Sequence, residues 1–316
     1  MKPEMLMIAP MMSSVMNALE TAYTVHRLWE ASDRVEFVAR VAANIRGVAT
    51  NGSVGISGEL IDALPNLEII ACYGVGVDAI DLVKAKTRGI PVTTTPDVLT
   101  VDVADMAVGL MIATSRRLVR GDRYVRNLEW GQKGEMPLTT RVTGKKAGIV
   151  GLGRVGKALA KRLTAFDMEI SYTDVAAQTD QPFTFIADLT ELARSSDFLI
   201  VTAAGGTASR KMVNQTVLEA LGTKGTLINV SRGSIVDEEA LVTALESGKL
   251  GAAGLDVFFN EPNVPEALFK LENVVLMPHH SSGTVESRSA MGDLIIGNLE
   301  AHFLGKQLLT QFPNHS

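Results

Sequence analysis

A single cysteine, Cys72, in a chain of 316 residues excludes an intrachain disulfide and any cysteine-rich metal site. Cys72 falls in the apolar run from Leu67 to Tyr73, where it reads as a small buried hydrophobe. No metal ligand set is expected. No apolar run is long enough to span a bilayer, so no membrane role is expected. The N-terminus, MKPEMLMIAP, carries an acid and has too short an apolar stretch for a signal peptide, so a cytoplasmic protein is the simplest expectation. Basic residues form no run. With 30 basic and 35 acidic residues the net charge is -5, which weighs against a nucleic-acid surface. Repeats, low-complexity tracts and long linkers are absent too. What is present is ordinary for a globular protein: 46% hydrophobic and 21% charged residues. At this length two domains are the better expectation.

The stretch Lys146 to Asp174 organises the rest. Ala147 to Val150 is a short apolar run that suits a buried parallel strand. Gly151, Gly153 and Gly156 follow at G-x-G-x-x-G spacing, and Ala158, Leu159, Leu163 and Phe166 then recur at helical spacing. A second apolar strand, Met168 to Thr173, ends at Asp174. The motif alone is weak evidence, but strand, glycines, helix and a later acid together form a dinucleotide-binding context. Gly151 permits the tight turn, Gly153 lets the backbone approach a pyrophosphate, and Gly156 lets helix and strand pack closely. The helix N-terminus offers N–H groups and partial positive charge to the phosphates. The turn from Gly151 to Gly156, with Leu152, Arg154 and Val155 between the glycines, is read as cofactor-binding, together with Val230.

Before residue 97, short apolar runs alternate with helical patterns. Met5–Ala9, Thr24–Leu28, Gly47–Ala49, Leu67–Ala71 and Ile90–Thr93 read as strands; Met12–Glu20, Asp33–Ala43, Ser57–Ala63 and Ala79–Arg88 read as helices. Alternation of this kind implies a parallel sheet covered on both faces. The TTTP of Thr93 to Pro96 marks a boundary. A long apolar helix from Leu99 to Arg117 and a shorter one from Leu118 to Leu128 come next. Strands at Phe198–Thr202, Thr226–Val230, Gly251–Leu255 and Val274–Met277 follow, with a final helix at Thr284–Leu304. The expected fold is therefore α/β: two doubly wound parallel-sheet domains, Rossmann-like or flavodoxin-like, with an interdomain cleft for a ligand. Residues 98–286 form the expected cofactor domain, and 1–97 with 287–316 a discontinuous substrate domain.

Residues just past the C-terminal ends of parallel strands face the ligand crevice. Arg232, Asp256, Glu261 and His279 all lie in such positions. An arginine, a carboxylate and a histidine in one crevice suit reduction of a ketone beside a carboxylate. Arginine holds the carboxylate through two parallel N–H bonds. Histidine exchanges the hydroxyl proton near neutral pH, and a neighbouring carboxylate keeps it protonated and oriented. Asp237 and Glu238 sit at a helix start and read as structural. His279 and His280 are adjacent, so only one should face the crevice of an extended segment; these considerations alone leave the choice open.

TPDVLTVDVADMAVGL, GLGRVGKALAKRL, LINVSRGSIVDEEAL, GLDVFFNEP, VVLMPHHSSGT and GNLEAHF together resemble the D-isomer-specific 2-hydroxyacid dehydrogenases over essentially the whole length. Plant-type hydroxypyruvate and hydroxyphenylpyruvate reductases and glyoxylate reductases are the nearest members. The resemblance implies that Arg232 binds and polarises the substrate, that Glu261 pairs with the histidine, and that His279 of Pro278-His279 is the acid/base. It further implies that YGVGVD, Tyr73 to Asp78, cradles the substrate carboxylate through the N–H groups of Val75 and Gly76. Asn51 falls near the substrate, and Asp256 is similar to a residue contacting the nicotinamide carboxamide. His280 and Phe259 depart from the family pattern, the first from an aliphatic residue and the second from a commonly acidic one. A homodimer is also implied, and the apolar helix Leu99–Arg117 offers surface for it.

The plant-type relatives follow the second strand with Ser-Arg-Ser, which binds the extra phosphate of NADPH. Here the chain reads Asp174-Val175-Ala176. A carboxylate at that position hydrogen-bonds a ribose diol and repels a 2′-phosphate, so NAD(H) is favoured, with NADP(H) possible. The expected activity is an NAD(P)H-dependent 2-ketoacid reductase, or D-2-hydroxyacid dehydrogenase, acting on glyoxylate or hydroxypyruvate. Its rivals are a phosphoglycerate or formate dehydrogenase on the same fold and a dinucleotide-sensing binding protein without catalysis. The absence of an added regulatory domain before Ser316 weighs against the long phosphoglycerate form. Formate has no hydroxyl proton for a Glu261–His279 pair to handle, and Arg232, Glu261 and His279 occurring together favour catalysis over sensing.

Overall fold

The computed structural model describes residues 2–313. They divide into two compact units: one runs up to Leu99 and resumes at Gly283, and the other is Thr100–Ser282. The divisions therefore fall at Leu99/Thr100 and Ser282/Gly283 rather than at 97/98 and 286/287. Local bonds explain both shifts. Thr95 donates its amide to the carbonyl of Gly74, and Ser287 donates its hydroxyl to Val98, which ties 95–98 to the first unit. Thr284 caps the last helix, so the segment just before that helix travels with it.

In the first unit β1 (Glu4–Met7), α1 (Ser13–Ala22), β2 (Thr24–Arg27), α2 (Arg34–Val41), β3 (Ile45–Asn51), α3 (Gly58–Ala63), β4 (Ile69–Tyr73), α4 (Leu82–Thr87) and β5 (Val92–Thr93) alternate. Among the described residues they form a parallel five-stranded sheet in the order β2-β1-β3-β4-β5. This is the flavodoxin-like order, whose direction reverses between β1 and β3. Strand β4, IIACY, is buried at every position, as expected of a central parallel strand covered on both faces. Helix α4 starts later than its pattern suggested: Asp81 accepts a hydrogen bond from the amide of Lys84 and so caps it, while Ile80 is held in a bridge with Ile56.

The second unit holds α5 (Thr100–Ser115), α6 (Leu118–Arg126), α7 (Glu129–Lys133), β6 (Lys146–Val150), α8 (Arg154–Thr164), β7 (Glu169–Thr173), β8 (Thr184–Phe185), α9 (Leu189–Arg194), β9 (Phe198–Val201), α10 (Gln215–Leu221), β10 (Thr226–Asn229), α11 (Glu238–Glu246), β11 (Ala252–Leu255) and β12 (Val274–Leu276). Its parallel sheet runs β12-β11-β10-β9-β6-β7-β8. Counted within the unit, this is the Rossmann order 3-2-1-4-5-6 with one further strand, and it reverses at β6. Strand β8 and helices α7, α9 and α10 are additions to the sequence reading, each too short to display a period. Helix α5 packs within its own unit: Val103, Ala104, Ala107, Leu110 and Met111 are buried, and it lies against α8, β10 and β11. It therefore offers little of the uncovered surface expected of it. The last helix, α12 (Val285–Phe303), belongs to the first unit. There Gly292 packs so closely on Val15 that a Cβ would sit 2.2 Å from its Cγ2, and Tyr73 donates its hydroxyl to Arg288 O at 2.6 Å.

Candidate active site

Strands β10, β11 and β12 are successive neighbours, so the loops leaving their C-terminal ends adjoin. The first is fixed by Asn229, whose side-chain amide donates to Arg232 O at 2.9 Å and whose oxygen accepts from the Ser231 amide at 3.1 Å. A second tie runs from the Ser231 hydroxyl to Ala203 O. Gly233 then meets the next loop backbone to backbone: a Cβ would lie 2.0 Å from the carbonyl carbon of Phe258. That contact explains why glycine follows Arg232.

In the adjoining loop Glu261 divides its carboxylate. Oε1 accepts from the Phe258 amide at 2.9 Å, and Oε2 lies 2.6 Å from His279 Nδ1. Burial acts to raise the Glu261 pKa. The hydrogen bonds from His279 and Phe258, aided by the charges of His279 and Arg232, outweigh it and hold the carboxyl below its usual value. An ionised Glu261 only accepts, so the proton sits on Nδ1 and Nε2 is left to exchange a proton with a ligand.

The loop after β12 is turned by Asp256, which is fully buried. Its carboxylate accepts from the amides of His280 at 2.7 Å and Ser281 at 2.9 Å, and from the Ser281 hydroxyl. The Asp256 carbonyl accepts from the His279 amide at 2.7 Å. These bonds hold His279 at φ 49, a left-handed conformation uncommon for a residue with a Cβ. The segment is therefore not extended at His279, and the turn rather than strand alternation separates the two imidazoles. His279 meets Glu261; the exposed His280 side chain makes no hydrogen bond among the described residues. The Asp256 carboxylate is enclosed and shapes the histidine loop.

At the reversal point of the same sheet, Gly151 has φ 90, and a Cβ there would be 2.5 Å from Ala203 Cα. At Gly156 a Cβ would be 2.3 Å from Gly151 O, so helix and turn touch. Gly153 differs, because a Cβ would meet nothing within 4 Å. It is the N-cap of α8 and provides no side-chain cap. A pyrophosphate suits that geometry. Val230 is buried, and its amide donates to Val201 O at 3.4 Å. Asp174, at the end of β7, accepts from the Leu152 amide at 2.9 Å and so closes the glycine turn.

The first unit carries a separate polar rim at its own reversal point. Asn51 Oδ1 accepts from the amides of Ser53 and Val54 at 3.1 and 2.9 Å, while its Nδ2 has no acceptor among the described residues. The 52 and 76 turns touch: a Cβ on Gly52 would lie 2.8 Å from Gly76 O. The amides of Val75 and Gly76 have no acceptor among the described residues, and Val75 is 41% exposed. Two adjacent undirected N–H groups make a nest for an anion.

Residues 108–281 match the family profile of the D-isomer specific 2-hydroxyacid dehydrogenase, NAD binding domain. The chain is 50% identical over 305 residues to glyoxylate/hydroxypyruvate reductase A of Arabidopsis thaliana, covering 96% of this chain and 97% of that one. It is 49% identical to hydroxyphenylpyruvate reductase of Plectranthus scutellarioides, with the same coverage. This chain belongs to the D-isomer-specific 2-hydroxyacid dehydrogenases. Among solved structures, the NADPH-dependent glyoxylate/hydroxypyruvate reductase of Sinorhizobium meliloti, in complex with NADP and malonate, superposes with a TM-score of 0.94 at 42% identity, over 99% of this chain and 98% of that one.

As a D-2-hydroxyacid dehydrogenase the chain is an NAD(P)-dependent oxidoreductase. Within its second unit the structure joins Glu261 to His279 and sets Arg232 near enough for its charge to act on Glu261. Asn51, Val75 and Gly76 form their own rim in the first unit. Three residues that sequence reasoning passed over hold this machinery in place: Asn229, Ser231 and Ser281. Asn229 at the end of an apolar strand was the one visible signal, since a buried amide there must find partners.

Proposed function

We propose that this dehydrogenase reduces small 2-ketoacids, glyoxylate and hydroxypyruvate foremost, and prefers NADH. The carrying observation is the 2.6 Å bond between Glu261 and His279 Nδ1, which leaves Nε2 as the proton-exchanging atom. The nicotinamide, when bound, supplies hydride to the α-carbon. His279 then gives its Nε2 proton to the carbonyl oxygen, and Arg232 binds the carboxylate and stabilises charge developing on that oxygen. Val75 and Gly76 amides hold the carboxylate, with Asn51 Nδ2 as a further donor. The backbone of Gly151–Gly156 holds the pyrophosphate. Asp174 accepts from the adenosine ribose and disfavours a 2′-phosphate. NADPH dependence belongs to the S. meliloti relative; the acid at the end of β7 supports NAD(H) here.

A homodimer and a cytoplasmic location complete the proposal. Support for the dimer comes from the segment after α5, where Leu128, Trp130 and Leu138 are 69%, 64% and 97% exposed. Light scattering at micromolar concentration tests it, and a monomer would refute it. Loss of NADH absorbance with a panel of 2-ketoacids tests the activity. Glyoxylate and hydroxypyruvate should give the highest kcat/KM, with NADH at least tenfold better than NADPH. Asp174→Ser with Val175→Arg should erode or reverse that preference; a wild-type preference for NADPH would overturn the cofactor assignment.

A further inference from the structure

The loop after β7 folds back on the glycine turn. Gln178 donates its backbone amide to the Tyr172 hydroxyl at 2.7 Å, and Tyr172 is almost fully buried. The Gln178 side-chain nitrogen lies 3.0 Å from Leu152 O and 3.1 Å from Asp174 Oδ2. Its two hydrogens are thereby both used. The opposite amide orientation would set an oxygen against a carbonyl and a carboxylate, three acceptors together, so the orientation is determined by its partners. Asp174 Oδ2 accepts from both the Leu152 amide and Gln178, which fills its two lone-pair positions. Among the described residues Oδ1 accepts only from the Val175 amide, at 2.7 Å. Two acceptor atoms on adjoining groups therefore keep open lone pairs among the described residues: Asp174 Oδ1, with one, and Gln178 Oε1, which has no donor there.

We propose that Gln178 is a second determinant of cofactor selectivity: Gln178 Oε1 and Asp174 Oδ1 together accept the two hydroxyls of the adenosine ribose and exclude a 2′-phosphate. A ribose diol offers two donors to two acceptors. A 2′-phosphate offers only acceptors and charge, and the donors of Gln178 are already committed to Leu152 and Asp174. This rests on the NAD(H) part of the proposed function. It adds that the carboxylate alone, with one open lone pair on Oδ1, does not read the diol.

The test is calorimetric titration of the full-length wild type, Gln178→Leu and Gln178→Arg with NADH and with NADPH, beside the melting temperature of each ligand-free protein. Gln178→Leu should weaken NADH about tenfold, the worth of one hydrogen bond, and leave NADPH within about twofold. Gln178→Arg retains donors for Leu152 and Asp174 and should move the preference toward NADPH. Equal loss for both cofactors in Gln178→Leu would reduce Gln178 to a loop brace and overturn the proposal. So would an unchanged NADH:NADPH ratio in Gln178→Arg, which decides the matter if the leucine variant fails to fold. Binding is read without turnover. A shifted ratio in a protein that turns over no ketoacid would remove the reductase reading and leave Gln178 in place; an unshifted ratio with turnover intact would do the reverse.

Discussion

At the β6 end of the seven-stranded sheet, the groups proposed to face a ligand are backbone amides placed by three glycines within six consecutive residues. At the β10–β12 end they are the side chains of Arg232, Glu261 and His279, taken from three separate strand loops. The first end needs room: Gly151 and Gly156 stand where a Cβ would collide, and Gly153 where one would only fill space. The second end needs anchoring, supplied by the buried polar groups Asn229 and Asp256. A phosphate is held by fixed dipoles, which short-range geometry can provide. Proton exchange needs one atom of one ring in one place, which requires bonds from outside its own loop.

This contrast can be broken most severely at the side-chain end. Arg232→Gln and His279→Ala should each lower kcat/KM by at least about 100-fold, while the NADH dissociation constant stays within about twofold. His280→Ala should cost no more than a few fold. Steady-state kinetics with glyoxylate would rank the three, and a larger loss for His280 than for His279 would reassign the acid/base.

Next in size is Asp256→Asn, which keeps shape but sets an NH₂ where donors now point. It should destabilise the fold by about 2–3 kcal/mol in urea unfolding. It should also lower kcat more than it raises KM, because the left-handed turn at His279 loosens. Wild-type kinetics and stability in this variant would show that the histidine loop is set some other way.

The glycines sharpen the comparison. Gly151→Ala forces a Cβ into Ala203 at a positive φ, and should cost about 2 kcal/mol or more of stability. Gly153→Ala should leave stability within about 1 kcal/mol yet weaken NADH roughly tenfold, since its methyl group occupies the space assigned to the pyrophosphate. Equal effects of the two on both readouts would erase the distinction between a glycine for folding and a glycine for ligand.

The smallest effect concerns pH. The Glu261 carboxyl is held below its ordinary 4.5 in the folded chain, burial being outweighed by the His279 and Phe258 bonds. A depressed folded pKa contributes stability above the unfolded value, and that contribution is lost as pH falls through the folded value. The stability gap between wild type and Glu261→Gln should thus be full above pH 4.5 and close in more acidic solution. A gap independent of pH across that range would mean that the pairing does not depress Glu261.

Much of this molecule was legible in its residues because the relevant periods are local. The parallel α/β class follows from alternating apolar runs and helical stripes, and the dinucleotide turn from glycines at fixed spacing between a strand and a helix. The strand-end positions of Arg232, Glu261 and His279 follow from the same alternation, since each lies past an apolar run. Strand order, by contrast, is a matter of which apolar runs pair across the chain, and no local pattern in β8 or β12 announces its neighbour. The left-handed turn at His279 depends on Asp256, brought close only because β11 and β12 pair. The open acceptor on Gln178 depends on Tyr172 and Leu152, which meet it only once β6 and β7 lie side by side. Sequence by itself determined which elements form and which residue types stand at their ends, because both are settled within a few residues. Which lone pairs and hydrogens remain open to a ligand was decided only by the tertiary structure, because that depends on what every distant neighbour has already taken.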